Sequence, residues 1–214
     1  MSGSSLRIRY AIESNPGAIM TSSTTENIGA ELHQRIRELT DRAAISDLID
    51  RYTILLDTQD EKGIDEDWPG SIFVEDCRLT YPIGGHSGLA GLAGFHDDAK
   101  QKFTATHHLS SNHVIALAGD RANIRFQMVA THVHRAETRS RAATDPGPLF
   151  QIGGYYEGES VRTADGWRFD NWTFHVVWTA GVGPADIAAA EVESRSEISA
   201  AEADSRPGTK EPRS

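Results

Sequence analysis

Two β-hairpin signals in the second half of the chain constrain its fold most strongly. Gly119-Asp120 and Asp165-Gly166 favour tight turns, and each dipeptide lies between two long runs whose residues are typical of strands. The four runs are residues 106–117, 123–135, 150–162 and 167–178. The sequence therefore predicts four long antiparallel strands arranged as two hairpins.

The first part of the chain has helical periodicity instead. Apolar residues recur at helical spacing over residues 26–39, and a second amphipathic helix is predicted from its N-cap Asp41 to about Asp57. Gly63 breaks the pattern. Before the hairpins we expect a helical turn at residues 67–73, a short strand at 77–81, a glycine-rich loop at 84–94 and a third helix at 95–103.

Helices followed by a long antiparallel sheet define the α+β class. Strongly twisted strands would wrap around the N-terminal helices, so we predict a cone-shaped α+β barrel with a strongly curved, mostly antiparallel sheet. The inside of such a cone is a natural pocket for a small molecule. We expect one domain over residues 26–183, after a disordered leader (1–25) and before an Ala/Glu-rich, mostly disordered tail (184–214).

Charge and cysteine content narrow the class of partner. The 214 residues include 31 acidic and 21 basic side chains, which gives a formal net charge of -10. An acidic chain is a poor match for nucleic acid or for an anionic membrane surface, so we expect a small-molecule substrate. Cys77 is the only cysteine, so no internal disulfide can form and we expect a reducing, cytoplasmic location.

Histidine is frequent, with nine residues in the chain, and five of them lie in the first hairpin. Imidazole exchanges protons near neutral pH, so histidines in a pocket are candidates for acid/base catalysis. Strand alternation puts Phe126, Met128 and His132 on one face of the second strand. That face runs from the core into a polar pocket, so Phe126 and Met128 are candidate substrate contacts.

The preceding strand offers two sets of side chains. Alternation puts His108 and Val114 on one face, and His113 and Ile115 on the other. We interpret three histidines as structural: His107, His113 and His175.

Two residues of the second helix are candidates for the pocket. Asp57, at the helix end, could be the carboxylate that tunes the pKa of a pocket histidine. Tyr52 lies on the apolar stripe of the helix, where we expect it to pack in the core and border the substrate.

A metal site is the main alternative for this region. His132 and His134 share a strand face and Glu137 follows, which resembles ligand sets of metal-binding barrels. The spacing is tighter than the cupin pattern and the second cupin motif is absent. Nucleotide-binding and serine-hydrolase motifs are also absent. We therefore expect no metal and no cofactor.

Four short segments, taken in order, resemble the nuclear transport factor 2-like superfamily, in particular its SnoaL-like and scytalone dehydratase-like branches. They are Arg51–Asp57 with its acidic turn, Cys77–Tyr81, Thr106–Leu109 and Gln127–His132. The resemblance covers about residues 39–178. It implies that Asp57 supports a catalytic His108 and that Tyr81 faces the substrate carbonyl. His132 would then be the second active-site histidine.

The resemblance also implies cofactor-independent acid/base chemistry. We expect a dehydratase, a lyase acting on a cyclic or polyketide-like β-hydroxy carbonyl compound. Scytalone dehydratase offers small polar groups where this chain has bulkier residues, which adds Tyr155 and Glu157 as candidate substrate contacts. The alternatives are a cyclase or isomerase that closes rings in natural-product biosynthesis, and a non-catalytic binding or dimerisation module. A homodimer or homotrimer is expected in each case.

Overall fold

A computed structural model describes residues 22–58, 67–142, 144–190 and 192–193. Its elements are α1 (Ser22–Asp57), α2 (Trp68–Ile72), β1 (Phe73–Tyr81), β2 (Gly84–Ser87), α3 (Leu92–Lys100), β3 (Phe103–Ala118), β4 (Arg121–His134), α4 (Ala136–Arg141), β5 (Leu149–Thr163) and β6 (Gly166–Ala180). The chain forms two compact units, one ending at Thr40 and the other beginning at Asp41.

The first unit contributes the N-terminal part of α1. This helix begins at Ser22, inside the segment predicted to be a disordered leader, and residues 1–21 lie outside the described part of the chain. The apolar side chains of this stretch are exposed: Ile28, Leu32, Ile36 and Leu39. Among the described helices, none is both long and apolar enough to cross a membrane.

The second unit is built on one six-stranded sheet with the order β2-β1-β6-β5-β4-β3. β1 runs parallel to β6, and the other neighbouring pairs are antiparallel. β2 and β3 are the two edges, so the sheet is curved but unclosed. The predicted α+β class and curved, mostly antiparallel sheet are confirmed.

The two predicted hairpins are also confirmed. β3 and β4 flank a turn at Gly119, which has a φ of 66°, and β5 and β6 flank a turn that ends at Gly166, with a φ of 102°. Glycine adopts this left-handed backbone conformation at little cost in free energy, because glycine lacks a Cβ. The turns therefore fix the register of all four long strands.

The core lies between the C-terminal half of α1 and one face of the sheet. The helix contributes fully buried side chains at helical spacing, including Ile45, Leu48 and Tyr52. The sheet contributes aromatic residues such as Phe126 and Trp172, whose ring centroids are 5.4 Å apart. This packing brings the end of α1 against β3.

The prediction of two helices separated at Asp41 is wrong. A single α1 runs through this position. Asp41 is 7% exposed, and its carboxylate accepts hydrogen bonds from Arg162 Nη2 at 2.6 Å and Trp167 Nε1 at 3.2 Å. A buried carboxylate needs such partners, so Asp41 ties the helix to the second hairpin and does not cap it.

The predicted glycine-rich loop is also partly wrong. Gly84–Ser87 form strand β2, which pairs with the end of β1. The third helix begins at Leu92 and ends at Lys100, which places it earlier than predicted. Because glycine has a low strand propensity, the glycine content of this segment predicted a loop. The segment is a strand because its backbone groups on one side pair with those of β1.

A bulge in β3 overturns the predicted alternation of its side chains. The pairing with β4 shifts between Ser111 and Val114, and Asn112 has a φ of 55°. Beyond this point Val114 is exposed and Ile115 is buried. His113 Nδ1 lies 2.6 Å from the Ser46 hydroxyl of α1. An extra residue in one strand reverses the faces that follow it, so His108 and His113 both point toward the helix.

The region after β6 is only partly described. Residues 184–190 are helical and Ile187 is buried. The predicted tail beyond residue 193 lies outside the described residues.

A glycine in β5 provides a test of how closely β5 and β6 approach. A Cβ at Gly158 would collide with the carbonyl oxygen of Asn171, whereas a Cβ at Gly94 in α3 would meet nothing within 4 Å. We expect Gly158→Ala to lower the free energy of unfolding by about 1–3 kcal/mol. Gly94→Ala should raise it by about 0.5–1 kcal/mol. Urea unfolding of both variants tests this, and equal stability of the two variants would contradict the close approach of β5 and β6.

Candidate active site

The site is built around a hydrogen-bonded pair between the end of α1 and β3. Asp57 Oδ1 accepts a hydrogen bond from His108 Nδ1 at 2.6 Å, and Asp57 Oδ2 accepts one from the His108 backbone N–H at 2.7 Å. The Thr106 hydroxyl lies 3.1 Å from Asp57 Oδ1 and 3.0 Å from the Leu56 carbonyl oxygen. The carboxylate therefore fixes both the position and the orientation of the imidazole.

This geometry sets the protonation of the pair. Burial alone would raise the pKa of Asp57, but hydrogen bonds from the His108 side chain and backbone and from Thr106 lower it below its ordinary value. The ionised carboxylate requires a proton on Nδ1 of His108. With Nδ1 as the donor, Nε2 is the nitrogen of the ring that can accept a proton and act as a base.

His132 lies beside this pair on β4. Its ring centroid is 5.8 Å from that of His108, at an interplanar angle of 82°. Its Nδ1 donates to the Phe150 carbonyl oxygen at 3.3 Å, and the Phe103 ring lies 4.5 Å away. Burial lowers the pKa of His132 to about 4, and the neighbouring His108 adds to the shift. His132 is therefore neutral near pH 7, with Nε2 available as an acceptor.

A chain of buried hydroxyl groups ends at a third histidine. Tyr52 OH lies 2.9 Å from Tyr81 OH and 3.5 Å from Tyr156 OH, and Tyr81 OH lies 3.3 Å from His96 Nε2. His96 Nδ1 lies 3.0 Å from the carbonyl oxygen of Leu92, so Nδ1 must be the donor and Nε2 an acceptor. Tyr81 therefore donates to His96, Tyr52 donates to Tyr81, and Tyr156 donates to Tyr52.

Burial keeps this chain neutral. It raises the pKa of Tyr52, Tyr81 and Tyr156 well above the ordinary tyrosine value. It also lowers the pKa of His96 to about 4, although the hydrogen bond to Leu92 opposes the shift. The hydroxyl groups thus remain donors over the physiological pH range.

Sequence reasoning missed His96 and Tyr156. His96 is in the predicted third helix and is 6% exposed, and a helix start at Leu92 would have put it on the buried face. Tyr156 pairs with Phe126 across β4 and β5, and their rings stack at 5.2 Å. Only this register shows that Tyr156 faces the core, and the sequence alone does not provide it.

The structure brings some predicted site residues together and separates others. Asp57 bonds His108, the His132 ring lies beside that of His108, and Tyr81 and Tyr52 belong to the hydroxyl chain. Phe126 and Met128 are buried in the hydrophobic core.

Tyr155 and Glu157 lie on the opposite face of the sheet. The Tyr155 ring stacks on His175 at 4.7 Å and lies 4.1 Å beneath the Arg125 guanidinium. Glu157 Oε1 is 2.9 Å from His175 Nε2. The register explains this placement, since β5 residues alternate faces and Tyr156 is the one that faces the core. The structure therefore does not bring these two predicted contacts to the histidine site.

The predicted metal alternative is not assembled in the described part of the chain. His134 Nε2 donates to the Val182 carbonyl oxygen at 2.9 Å, and His132 is bonded to Phe150. No group of three His, Cys, Asp or Glu side chains converges there as metal ligands would.

The two low-pKa histidines predict acid sensitivity. In the unfolded chain their pKa is near 6.5, whereas in the folded chain it is about 4. As the pH falls between these values, only the unfolded chain gains protons, so stability is lost. His132→Gln removes one of these groups. Between about pH 7 and about pH 5, the free energy of unfolding should fall by about 2 kcal/mol less in this variant than in the wild type. Urea unfolding at both pH values tests this, and equal losses would contradict a neutral His132.

Comparison with known proteins agrees with this architecture. The model of the SnoaL-like domain family matches residues 37–173. The Kfla4162 protein from Kribbella flavida is 26% identical, with a TM-score of 0.60, over 72% of this chain and 99% of its own. No curated protein matches the chain.

Two further solved structures share the fold at lower identity. A protein from Novosphingobium aromaticivorans, provisionally described as a scytalone dehydratase, is 23% identical with a TM-score of 0.57, covering 68% of this chain and 90% of its own. The hexachlorocyclohexane dehydrochlorinase LinA-type3 from Novosphingobium barchaimii is 19% identical with a TM-score of 0.56, covering 70% and 95%. The expected SnoaL-like resemblance is therefore confirmed, and the chain belongs to the SnoaL-like domain family.

Proposed function

We propose that this protein is a cofactor-independent dehydratase that acts on a cyclic or polyketide-like β-hydroxy carbonyl compound. The observation that carries the proposal is the Asp57–His108 pair, in which a partly buried carboxylate binds Nδ1 of the imidazole and leaves Nε2 to act as the base. Two structural neighbours are named as a dehydratase and a dehydrochlorinase, and both names denote eliminations. An elimination of this kind begins with removal of a proton by a positioned base.

The proposed reaction starts at His108. Nε2 removes the proton α to the substrate carbonyl, and the resulting imidazolium is stabilised by the Asp57 carboxylate. The electron pair of the broken C–H bond forms the new double bond as the β-hydroxyl leaves. His108 then returns its proton to the departing oxygen, so one water is lost and the protein is unchanged.

His132 and Tyr81 would assist at the two oxygen atoms of the substrate. The neutral His132 offers Nε2 as an acceptor, which favours a hydrogen bond from the substrate hydroxyl. Tyr81 would donate a hydrogen bond to the carbonyl oxygen as charge builds there. The hydrogen bond from Tyr81 to His96 is long, at 3.3 Å. Tyr81 can therefore give up this hydrogen bond and donate to a substrate carbonyl oxygen at little cost in free energy.

The same base supports a second reaction class. Removal of an α-proton also begins an aldol-type ring closure or an isomerisation, and neither requires a leaving hydroxyl. Such a cyclase or isomerase would serve natural-product biosynthesis. A purely binding role is disfavoured by the polarity of the site, because a module that only holds a ligand needs no carboxylate-oriented histidine.

We also propose a homodimer or homotrimer in the cytoplasm. Large apolar side chains on β3 and β6 are exposed in the single chain: Leu109, Val114, Val176, Val177 and Trp178. Exposed apolar surface of this kind is typical of interfaces. The free thiol of the buried Cys77 suits a reducing compartment.

Replacement of His108 tests the base. We expect His108→Ala to lower the rate of water loss by about 100- to 10,000-fold on a panel of cyclic β-hydroxy ketones. His107→Ala is the matched control, because His107 is the exposed neighbour on the same strand. Mass spectrometry of the products, with and without EDTA, identifies the reaction.

Each outcome of this experiment has a distinct meaning. Loss of one water that depends on His108 and survives EDTA would support the dehydratase, and a product of unchanged mass would support the cyclase or isomerase. Unchanged turnover in both His108→Ala and His132→Ala would overturn the assignment of these histidines as the acid/base groups. Inhibition by EDTA would instead support a metal site.

Replacement of Tyr81 tests the carbonyl donor. Tyr81→Phe keeps the ring in the core but removes the hydroxyl proton. We expect kcat to fall by about 10- to 1,000-fold with little change in the free energy of unfolding. The matched control is Tyr156→Phe, which changes the far end of the hydroxyl chain. A larger loss of kcat in Tyr156→Phe than in Tyr81→Phe would rule out donation by Tyr81.

A further inference from the structure

Lys100, the last residue of α3, is buried without a partner. The residue is 8% exposed, and within the described chain its Nζ has no hydrogen-bond partner. Lysine usually extends its flexible side chain to keep the ammonium in water. An enclosed charge without a hydrogen bond is costly, and no hydrogen bond within the described residues satisfies this ammonium.

The position of Lys100 places it at the candidate active site. It follows His96 by four residues, so the two side chains share the inner face of α3 one turn apart. His96 contacts Tyr81, the proposed carbonyl donor. Three residues after Lys100, Phe103 begins β3, and its ring centroid lies 4.5 Å from that of His132. The lysine therefore lies between α3, which carries His96, and β3, which carries His108.

Electrostatics connects Lys100 with the same groups. Burial lowers the pKa of its ammonium to about 8, and the carboxylates of Asp57 and Asp97 oppose this shift. The charge of Lys100 contributes in turn to the low pKa of His96. Both carboxylate oxygens of Asp57 already accept hydrogen bonds from His108. The ammonium is thus mostly charged at neutral pH and is near a carboxylate whose oxygens are occupied.

We propose that Lys100 forms a binding subsite for a negatively charged oxygen of a cyclic substrate. This inference rests on the proposed function and deepens it, because it narrows the substrate class to acidic ring compounds. The negative oxygen has two possible sources. It is either a carboxylate that the substrate already carries, or the enolate oxygen that forms when the base removes the α-proton.

Both sources suit the chemistry of the site. A carboxylate would be held in the ground state, so Lys100 would act mainly on binding. An enolate oxygen would gain its charge only during proton removal, so Lys100 would act mainly on rate. In each case the substrate supplies the partner that the ammonium lacks.

Small ring compounds that do not react can test the subsite. The probes are 4-nitrobenzoate as the carboxylate, 4-nitrophenolate as the enolate mimic, and nitrobenzene as the neutral compound. Nitroaromatic rings quench tryptophan fluorescence, and Trp68 lies 5.2 Å from His96. Affinities are measured for the wild type, Lys100→Met, Lys100→Arg and the control Lys102→Met, which changes an exposed lysine two residues away.

We expect Lys100→Met to weaken binding of at least one anionic probe by about tenfold or more, because the only change is loss of a buried charge. Nitrobenzene should bind with less than about a twofold change, and Lys100→Arg and Lys102→Met should stay within about threefold of the wild type. Loss confined to 4-nitrobenzoate indicates the carboxylate source, and loss confined to 4-nitrophenolate indicates the enolate source.

Unchanged affinity of both anions in Lys100→Met would overturn the subsite. The melting temperature provides a second measurement, since removing an unpaired buried charge should leave Tm equal or higher. A lower Tm with unchanged affinities would assign Lys100 to stability of the fold and would also overturn the proposal.

The affinities of the probes do not depend on whether the proposed reaction occurs, because the probes do not react. A Lys100-dependent affinity without water loss from any substrate would leave the subsite standing and overturn the elimination. Water loss without any Lys100 dependence of the probes would overturn only the subsite.

Discussion

Two carboxylates on one helix hold α1 against the sheet, and the rest of the second unit depends on them. Asp41 binds Arg162 and Trp167 of the second hairpin, and Asp57 binds His108 of the first. The two residues are 16 positions apart, which corresponds to about 24 Å of helix. Between them, apolar side chains of the helix fill the core. This half of the helix is therefore fixed at both of its ends by charge and along its length by packing, so the position of the proposed base is set by the same contacts that build the core.

The sequence predicted the parts of this arrangement that depend on local signals. The hairpins were readable because Gly119 and Gly166 mark turns between long strands, and the face of β4 with Phe126 and His132 followed from simple alternation. The pair of Asp57 and His108 required the resemblance to a family, because no local pattern links residues 51 positions apart. Long-range pairing is the information that single-sequence periodicity lacks.

The features that sequence reasoning missed share a physical cause. Aspartate is typical of helix N-caps, so the sequence favours a helix start at Asp41. In the structure, hydrogen bonds from the second hairpin stabilise its buried carboxylate in the middle of α1. The bulge at Asn112 is invisible to a rule of strict alternation, and it reverses the expected faces of His113 and Ile115. Glu157 and Tyr155 were misplaced because only the register with β4 decides which face of β5 points inward. In each case a contact from another element overrides the local preference.

The bulge at Asn112 has a consequence for how the protein behaves among copies of itself. β3 is an edge of the sheet and is 16 residues long, so its outer side presents a row of backbone groups that no other strand of the described residues pairs with. Long, straight edges of this kind can recruit a strand from another molecule and start aggregation. The left-handed residue bends the strand and divides this edge into two shorter stretches. The same distortion that turns His113 toward the helix thus protects the open side of the sheet from unwanted strand exchange.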